Sequence, residues 1–246
     1  APILWQNCIP IFADADPETM NADPASVAER ITDRTRAIIV AHIAGQPVDM
    51  DPIMEVAHAH NIPVIEDCSQ AHAATYKGRL VGTIGDIAAF SLMGGKHHTA
   101  GGQGGMVITN NEEIYWNAKR FADRGKPFNS MERRNLFLGL NYRMTEIEAA
   151  IGRVQLRKLQ GIVARRRALA AELSERIADL RAVRMGTIIP GAISSYWLLL
   201  LHADSSALAV SKEQFARTCA AEGAPIDPHY DWIIYETPWI RQRANY

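Results

Sequence analysis

Asp67 stands two residues beyond the apolar run Ile62-Pro63-Val64-Ile65, and Lys96 follows the apolar run that ends at Leu92. Short apolar runs of this kind read as buried strands. A carboxylate and an amine therefore sit just past the carboxyl ends of two strands, where an open parallel sheet opens onto its ligand crevice. An amine placed there can condense with an aldehyde. A carboxylate can keep a pyridine nitrogen protonated, so that the ring becomes an electron sink when a proton leaves a substrate carbon. The released amine can then move that proton as base and acid, and partial desolvation brings its pKa toward the working range.

Pyridoxal phosphate (PLP) is the cofactor that asks a protein for this pair, although an Asp ending an apolar strand also occurs in nucleotide folds of many kinds. Other readings of the same residues are weaker. Gly94-Gly95-Lys96 lacks the spacing of a phosphate-binding P-loop, and no GxGxxG follows a strand at a helix start. His97 and His98 with Cys68 are candidate metal ligands, but adjacent side chains diverge and no third spacing supports zinc, so a packed or hydrogen-bonded histidine is the better reading. Cys8, Cys68 and Cys219 are far apart without CxxC spacing. That pattern fits a reducing compartment, and the expected location is cytoplasmic.

The elements that must position Asp67 and Lys96 alternate along the chain. Strands are expected at 9–13, 37–43, 62–66, 87–92 and 106–109, and helices at 24–31, 51–60 and 112–124. This is an α/β pattern of βαβ units around a parallel sheet. Asp49 or Asp51 can cap the second helix, and Asn61 ends it before Pro63. Tyr76-Lys77-Gly78-Arg79 reads as a solvated turn. From about 145 to about 180, Ile147, Ile151, Val154, Leu159, Ile162 and Leu169 recur at helical spacing, as in one long helix connecting two domains. A strand at 196–201, a helix at 212–222 and a proline-rich tail follow. The expected division is 1–145 for a large domain, 146–180 for the connecting helix and 181–246 for part of a small α/β domain.

The chain has 246 residues, enough for a full core, and 26 Lys and Arg against 27 Asp and Glu. That balance favours a small-molecule ligand over nucleic acid or an anionic membrane surface. No apolar run approaches the roughly 18 residues of a membrane span. Arg165-Arg166-Arg167 reads as a solvated charged face.

Four ordered blocks make the sequence recognisable: Pro63-Val64-Ile65-Glu66-Asp67-Cys68-Ser69-Gln70-Ala71-His72; Gly82-Thr83-Ile84-Gly85-Asp86 through Phe90-Ser91; Lys96 with Gly101-Gly102-Gln103-Gly104-Gly105; and Asn141-Tyr142-Arg143-Met144-Thr145-Glu146 with Ala149-Ala150. Together they resemble the DegT/DnrJ/EryC1/StrS aminotransferase family, over most of the chain up to about Ser195. The resemblance implies a PLP-dependent transferase of fold type I, with a large domain of mainly parallel sheet. It implies that Lys96 carries PLP as a Schiff base, Asp67 pairs with the ring nitrogen, Gln70 lies near the ring hydroxyl and Ser91 bonds the phosphate. Asn141 and Arg143 would reach the site of a neighbouring subunit, making the active unit a homodimer; Asn141 also suits a plain turn. His72 would support the site.

The implied reaction moves an amino group from an amino acid such as glutamate or glutamine to a nucleotide-linked keto sugar or a keto cyclitol. Relatives that dehydrate the sugar instead carry histidine in place of the lysine, so Lys96 argues for transfer. A noncatalytic or regulatory protein on the same scaffold is the other reading. The family's phosphate-gripping turn and ring-stacking aromatic precede the point where this chain begins, and its small domain breaks off at Tyr246, so the expectation is a chain truncated at both ends. Gln103 stands where acidic residues are frequent in the family.

Overall fold

The computed structural model describes residues 2–229 and 233–242. In chain order its main elements are α1 (Pro24–Glu29), β1 (Ile38–Ala41), α2 (Met50–Ala59), β2 (Val64–Asp67), β3 (Thr75–Tyr76), β4 (Arg79–Leu80), β5 (Ile87–Ser91), β6 (Gly105–Ile108), α3 (Glu112–Ala122), α4 (Glu146–Leu156), α5 (Leu159–Arg176), β7 (Val183–Met185), β8 (Ala192–Ile193), β9 (Leu201–Ala203) and α6 (Lys212–Ala221). They form two compact units. The larger comprises 13–175 with 186–200, and the smaller comprises 1–12, 176–185 and 201–246. These units do not follow the expected boundaries after 145 and 180, because residues 186–200 return to the larger unit.

The larger unit is built on a four-stranded sheet in the order β1-β2-β5-β6. The first three strands run parallel and β6 is antiparallel to β5. Period-two alternation puts Ile38, Val40 and Val64 on one face, where they pack with Met50, Ile53 and Ala57 of α2. A second, smaller cluster joins Cys68, Ala71, Ala74, Val81 and Ala88. Asp49 does occupy the N-cap of α2, but without capping it. Its carboxylate accepts the hydroxyl proton of Tyr76 instead. Asn61 ends the helix in the left-handed region, with φ 53°. The turn expected around Lys77-Gly78 joins β3 and β4 in a hairpin, both residues having positive φ.

Three expectations change. No strand forms at 9–13: Ile9 and Ile11 are exposed, and Pro10 lacks the N–H that a ladder needs. The segment 196–200 is not a strand either, because Tyr196 takes a φ of 50°, and pairing starts only at Leu201. The single long helix is two, α4 and α5, separated at Arg157-Lys158, where Lys158 N–H turns back to the Gln155 carbonyl. The apolar stripe read there faces outward in part, Ile147 being 75% exposed, while Gly152, Leu159, Val163 and Ala170 form the buried side. Thr145 and Glu148 close a capping box at the start of α4.

At the ends of β1 and β2 lies a buried polar network. His42 Nδ1 accepts from the Val48 N–H at 3.0 Å, which leaves Nε2 to carry the proton that meets Glu66 Oε2 at 3.0 Å. Glu66 also accepts from the N–H groups of Gly82, Ile84 and Gly85 at 2.7, 2.8 and 2.6 Å. His42, Glu66 and Cys68 bring ligand-type atoms within 4.8 Å of one another. The arrangement is nevertheless a structural one. The lone pairs of His42 and Glu66 are already spent, and burial, with the Glu66 and Asp67 charges, pushes the Cys68 thiol far up and away from the thiolate a metal needs.

In the smaller unit β7 and β9 pair antiparallel, and the rings of Phe12 and Tyr235 meet edge to face at 5.7 Å. Ser211 caps α6 by accepting from the Gln214 N–H.

Candidate active site

β2 delivers Asp67 as its last residue, in register with Ala41 on one side and Ala89 on the other. The adjacent strand β5 delivers Ser91 as its last residue. Asp67 Oδ1 accepts from the Ser69 N–H at 3.0 Å, which turns the chain toward Gln70. Gln70 in turn reaches across to the turn that follows β1: its Oε1 accepts from the Ala44 N–H at 2.7 Å.

Beyond Ser91 the chain makes a loop pinned at its base. Leu92 N–H donates to the Gly104 carbonyl, Ala100 N–H to the Leu92 carbonyl and Gly94 N–H to the Gly102 carbonyl, at 2.8, 2.7 and 2.9 Å. Gly104 packs closely there: a Cβ would lie 2.8 Å from Met144 Sδ and 3.0 Å from the Ala100 Cβ. His97 and His98 anchor the loop from inside, bonded to the carbonyls of Ser195 at 3.0 Å and Gly152 at 2.9 Å. They are packed histidines, as their sequence context suggested. Lys96, at the tip, is half-buried. Burial lowers the pKa of its amine, and the charge of Asp67 acts in the opposite sense. Asp67 and Lys96 are thus within electrostatic reach of each other at the carboxyl ends of neighbouring parallel strands.

His72 lies behind the loop, its ring 5.5 to 6.0 Å from those of Phe90, His97 and His98. It is buried, and that burial, with the neighbouring His97, His98 and Lys96 charges, brings its pKa down to about 4. Desolvation likewise lowers His97.

Asn141 and Arg143 belong to a separate group. Asn141 forms a β-bridge with Asp123, and Arg143 Nε lies 3.2 Å from Asn141 Oδ1 and 3.4 Å from Asp123 Oδ1. Their guanidinium and amide contacts go to Asp123 and to each other.

The sequence reading missed the segment 194–197. Trp197 lays its ring under the Lys96 ammonium, with Nζ 3.9 Å from the ring centroid. The charged run on α5 holds this segment: Arg166 bonds the carbonyls of Tyr196 and Trp197 at 2.9 and 3.1 Å, and Arg167 those of Ser194 and Ala73 at 2.7 and 3.0 Å. Arg166 and Arg167 are therefore half-buried and bonded to backbone carbonyls, in contrast to the reading of the run as a solvated charged face; Arg165 is exposed. No local motif marks the pairing, because about a hundred residues of chain separate Lys96 from Trp197.

The donor set fits PLP: an amine for its aldehyde, a carboxylate for its ring nitrogen, an amide near the ring edge and a hydroxyl for its phosphate. GDP-perosamine synthase of Escherichia coli O157:H7 is 37% identical over 80% of this chain and 53% of its own length. The L-glutamine:scyllo-inosose aminotransferase of Streptomyces griseus is 33% identical over 89% of this chain and 54% of its own. The E. coli GDP-4-keto-6-deoxy-D-mannose-3-dehydratase, solved with bound hydrated PLP, superimposes with a TM-score of 0.80 at 25% identity, covering 90% of this chain and 60% of that one. The chain spans about half the length of the curated relatives it matches. The family model described as DegT/DnrJ/EryC1/StrS aminotransferase family matches residues 1–246, and the chain belongs to that family.

Proposed function

We propose that this chain carries the catalytic lysine of a PLP-dependent aminotransferase that moves an amino group from glutamate or glutamine to a nucleotide-linked keto sugar or a keto cyclitol. One observation carries the reading: Asp67 closes β2, Lys96 lies in the loop that follows the adjacent parallel strand β5, and the Asp67 charge acts on the Lys96 amine. The two enzymes named above as a perosamine synthase and an inosose aminotransferase support the acceptor class.

Bound PLP supplies an aldehyde for amine exchange and a protonated ring that stabilises negative charge at the substrate carbon. The chain's own residues do the rest. Asp67 holds the proton on the ring nitrogen, and Gln70, fixed by the Ala44 N–H, orients the ring edge. Ser91 donates its hydroxyl to phosphate. Lys96 takes the proton from the substrate carbon as a base and gives it back as an acid, a task suited to an amine whose pKa burial has lowered.

Asn141 and Arg143 serve the site of a second copy of the chain. Support comes from their distance in sequence and bonding from the Lys96 loop, and from apolar side chains left exposed nearby, among them Leu138, Tyr142, Ile147 and Val154. The protein works in the cytoplasm on small molecules: its three cysteines are free thiols, and among the described residues no helix is long and apolar enough to cross a membrane.

A dehydratase reading draws on the dehydratase neighbour; a noncatalytic scaffold is the other alternative. Lys96 favours transfer over both. The test is to add PLP to the purified protein, reduce with borohydride and locate the modified peptide by mass spectrometry. Label on Lys96 with amine transfer to a keto sugar supports the proposal, and no label on Lys96 overturns it.

A further inference from the structure

Trp197 touches the Lys96 turn twice. The ammonium lies over the ring face at 3.9 Å from the centroid, and the indole N–H donates to the Gly95 carbonyl at 3.2 Å. One rigid side chain thus spans the peptide before Lys96 and the end of the Lys96 side chain.

The ring is seated by backbone contacts. Ser195 N–H donates to the Gly45 carbonyl and Trp197 N–H to the Ala44 carbonyl, both at 2.9 Å. Gly45 has a φ of 91°, and a Cβ on it would fall 2.6 Å from the Tyr196 nitrogen, so the close approach depends on glycine. On the other side the Arg166 guanidinium holds the Tyr196 and Trp197 carbonyls. The segment is clamped between the turn that follows β1 and α5, which fixes where the indole can stand.

We propose that Trp197 is a positioning residue for Lys96: its indole face receives the ammonium whenever the amine is not covalently engaged and keeps it at the ends of β2 and β5. A lysine side chain has four rotatable bonds, and a free amine would otherwise sample solvent. A cation over an indole face is held by the ring quadrupole, more strongly where it is partly desolvated. The titratable groups around the amine are Asp67 on β2, His72 behind the loop and His97 beside it. Of these Asp67 favours the ammonium, and Trp197 adds to that preference without adding charge. The inference rests on the reading of Lys96 as the reactive amine.

The experiment follows methylation of Lys96 by formaldehyde and cyanoborohydride against pH, read by mass spectrometry, in the native protein, W197F and W197L. W197F keeps an aromatic face but loses the indole N–H, whereas W197L keeps bulk and loses the face. The expected result is a W197F profile near the native one. The W197L profile is shifted to lower pH, with about fivefold faster methylation at a given pH below the midpoint. A W197L profile that superimposes on the native one overturns the proposal. So does an equal shift in both variants, the result expected of a ring that only fills space. Should W197L fail to fold, K96M in the native background carries the same test. The Trp197 contribution to near-UV circular dichroism, taken as native minus W197F, must change on removal of the amine, and an unchanged band overturns the proposal. Methylation needs no cofactor, so a failure of this contact is seen separately from a failure of Lys96 to take up PLP.

Discussion

His42 Nε2 meets Glu66 Oε2 at 3.0 Å inside the larger unit, with the Glu66 carboxylate completed by three backbone N–H groups from residues 82–85. Glu66 is the residue before Asp67, so the network that closes the 82–85 loop also fixes the strand end that presents the Asp67 carboxylate. Although burial acts to raise its pKa, the hydrogen bonds from His42, Gly82 and Gly85 outweigh burial and lower it.

Glu66→Gln replaces an acceptor-only group with one whose NH2 must face N–H donors. The expected loss is about 3 kcal/mol of folding stability, seen as a lower urea midpoint with an unchanged slope. The stability owed to ionised Glu66 is fully present above its unfolded value of 4.5 and is lost as pH falls through the lower folded value. In acid the native and Glu66→Gln proteins should therefore converge.

His72 gives a second pH dependence at milder acidity. Its folded pKa of about 4 lies below the ordinary 6.5, so between those values the unfolded chain binds a proton that the folded one refuses. Stability contributed by uncharged His72 is thus lost as pH falls from about 6.5 to about 4, by about 3 kcal/mol in all. Urea denaturation at several pH values across this window should show that slope in the native protein and a smaller one in His72→Phe. Equal slopes would contradict the assignment.

Gly45→Ala should be costly out of proportion to one methyl group. The φ of 91° is unfavourable for alanine, and the added Cβ collides with the backbone nitrogens of Tyr196 and Trp197 at 2.6 and 2.8 Å. A loss of roughly 2–4 kcal/mol is expected. Displacement of the 194–197 segment should also raise the methylation rate of Lys96. A stable Gly45→Ala protein with native Lys96 reactivity would show that the segment is not held there.

On the proposed function, Lys96→Ala should abolish PLP labelling by borohydride and lower amine transfer by at least about 10²–10⁴-fold, since the group proposed to move the proton is removed. Asp67→Ala should still label at Lys96 but release PLP more readily and transfer slowly, because the ring nitrogen loses its counter-charge. Absorbance of the bound cofactor together with single-turnover transfer separates the two effects.

Legibility in the sequence followed how local each signal is. The runs ending at Asp67 and Ser91 are short and apolar, and the helices α1 and α3 that flank the sheet strands carry side-chain caps at Asp23 and Asn111, so the α/β class, the strands β1, β2, β5 and β6, and the placement of Asp67 at a strand end with Lys96 just past another could be read directly. The strand expected at 9–13 failed for a local reason too, the missing N–H of Pro10, which pattern alone underweights.

What only the tertiary structure decided are the meetings between distant segments. Arg166 and Arg167 look like solvent-facing charges on a helix until carbonyls from residues 194–197 arrive to accept their protons. Trp197 gains its place over Lys96 because Gly45, far earlier in the chain, lets two backbones approach. Glu66 carries a charge in the interior because loop 82–85 folds its N–H groups inward. Secondary structure is written in neighbouring residues through backbone sterics and periodic burial. The partners of a buried charge or an aromatic face are fixed by packing across the fold, which no short window of sequence contains.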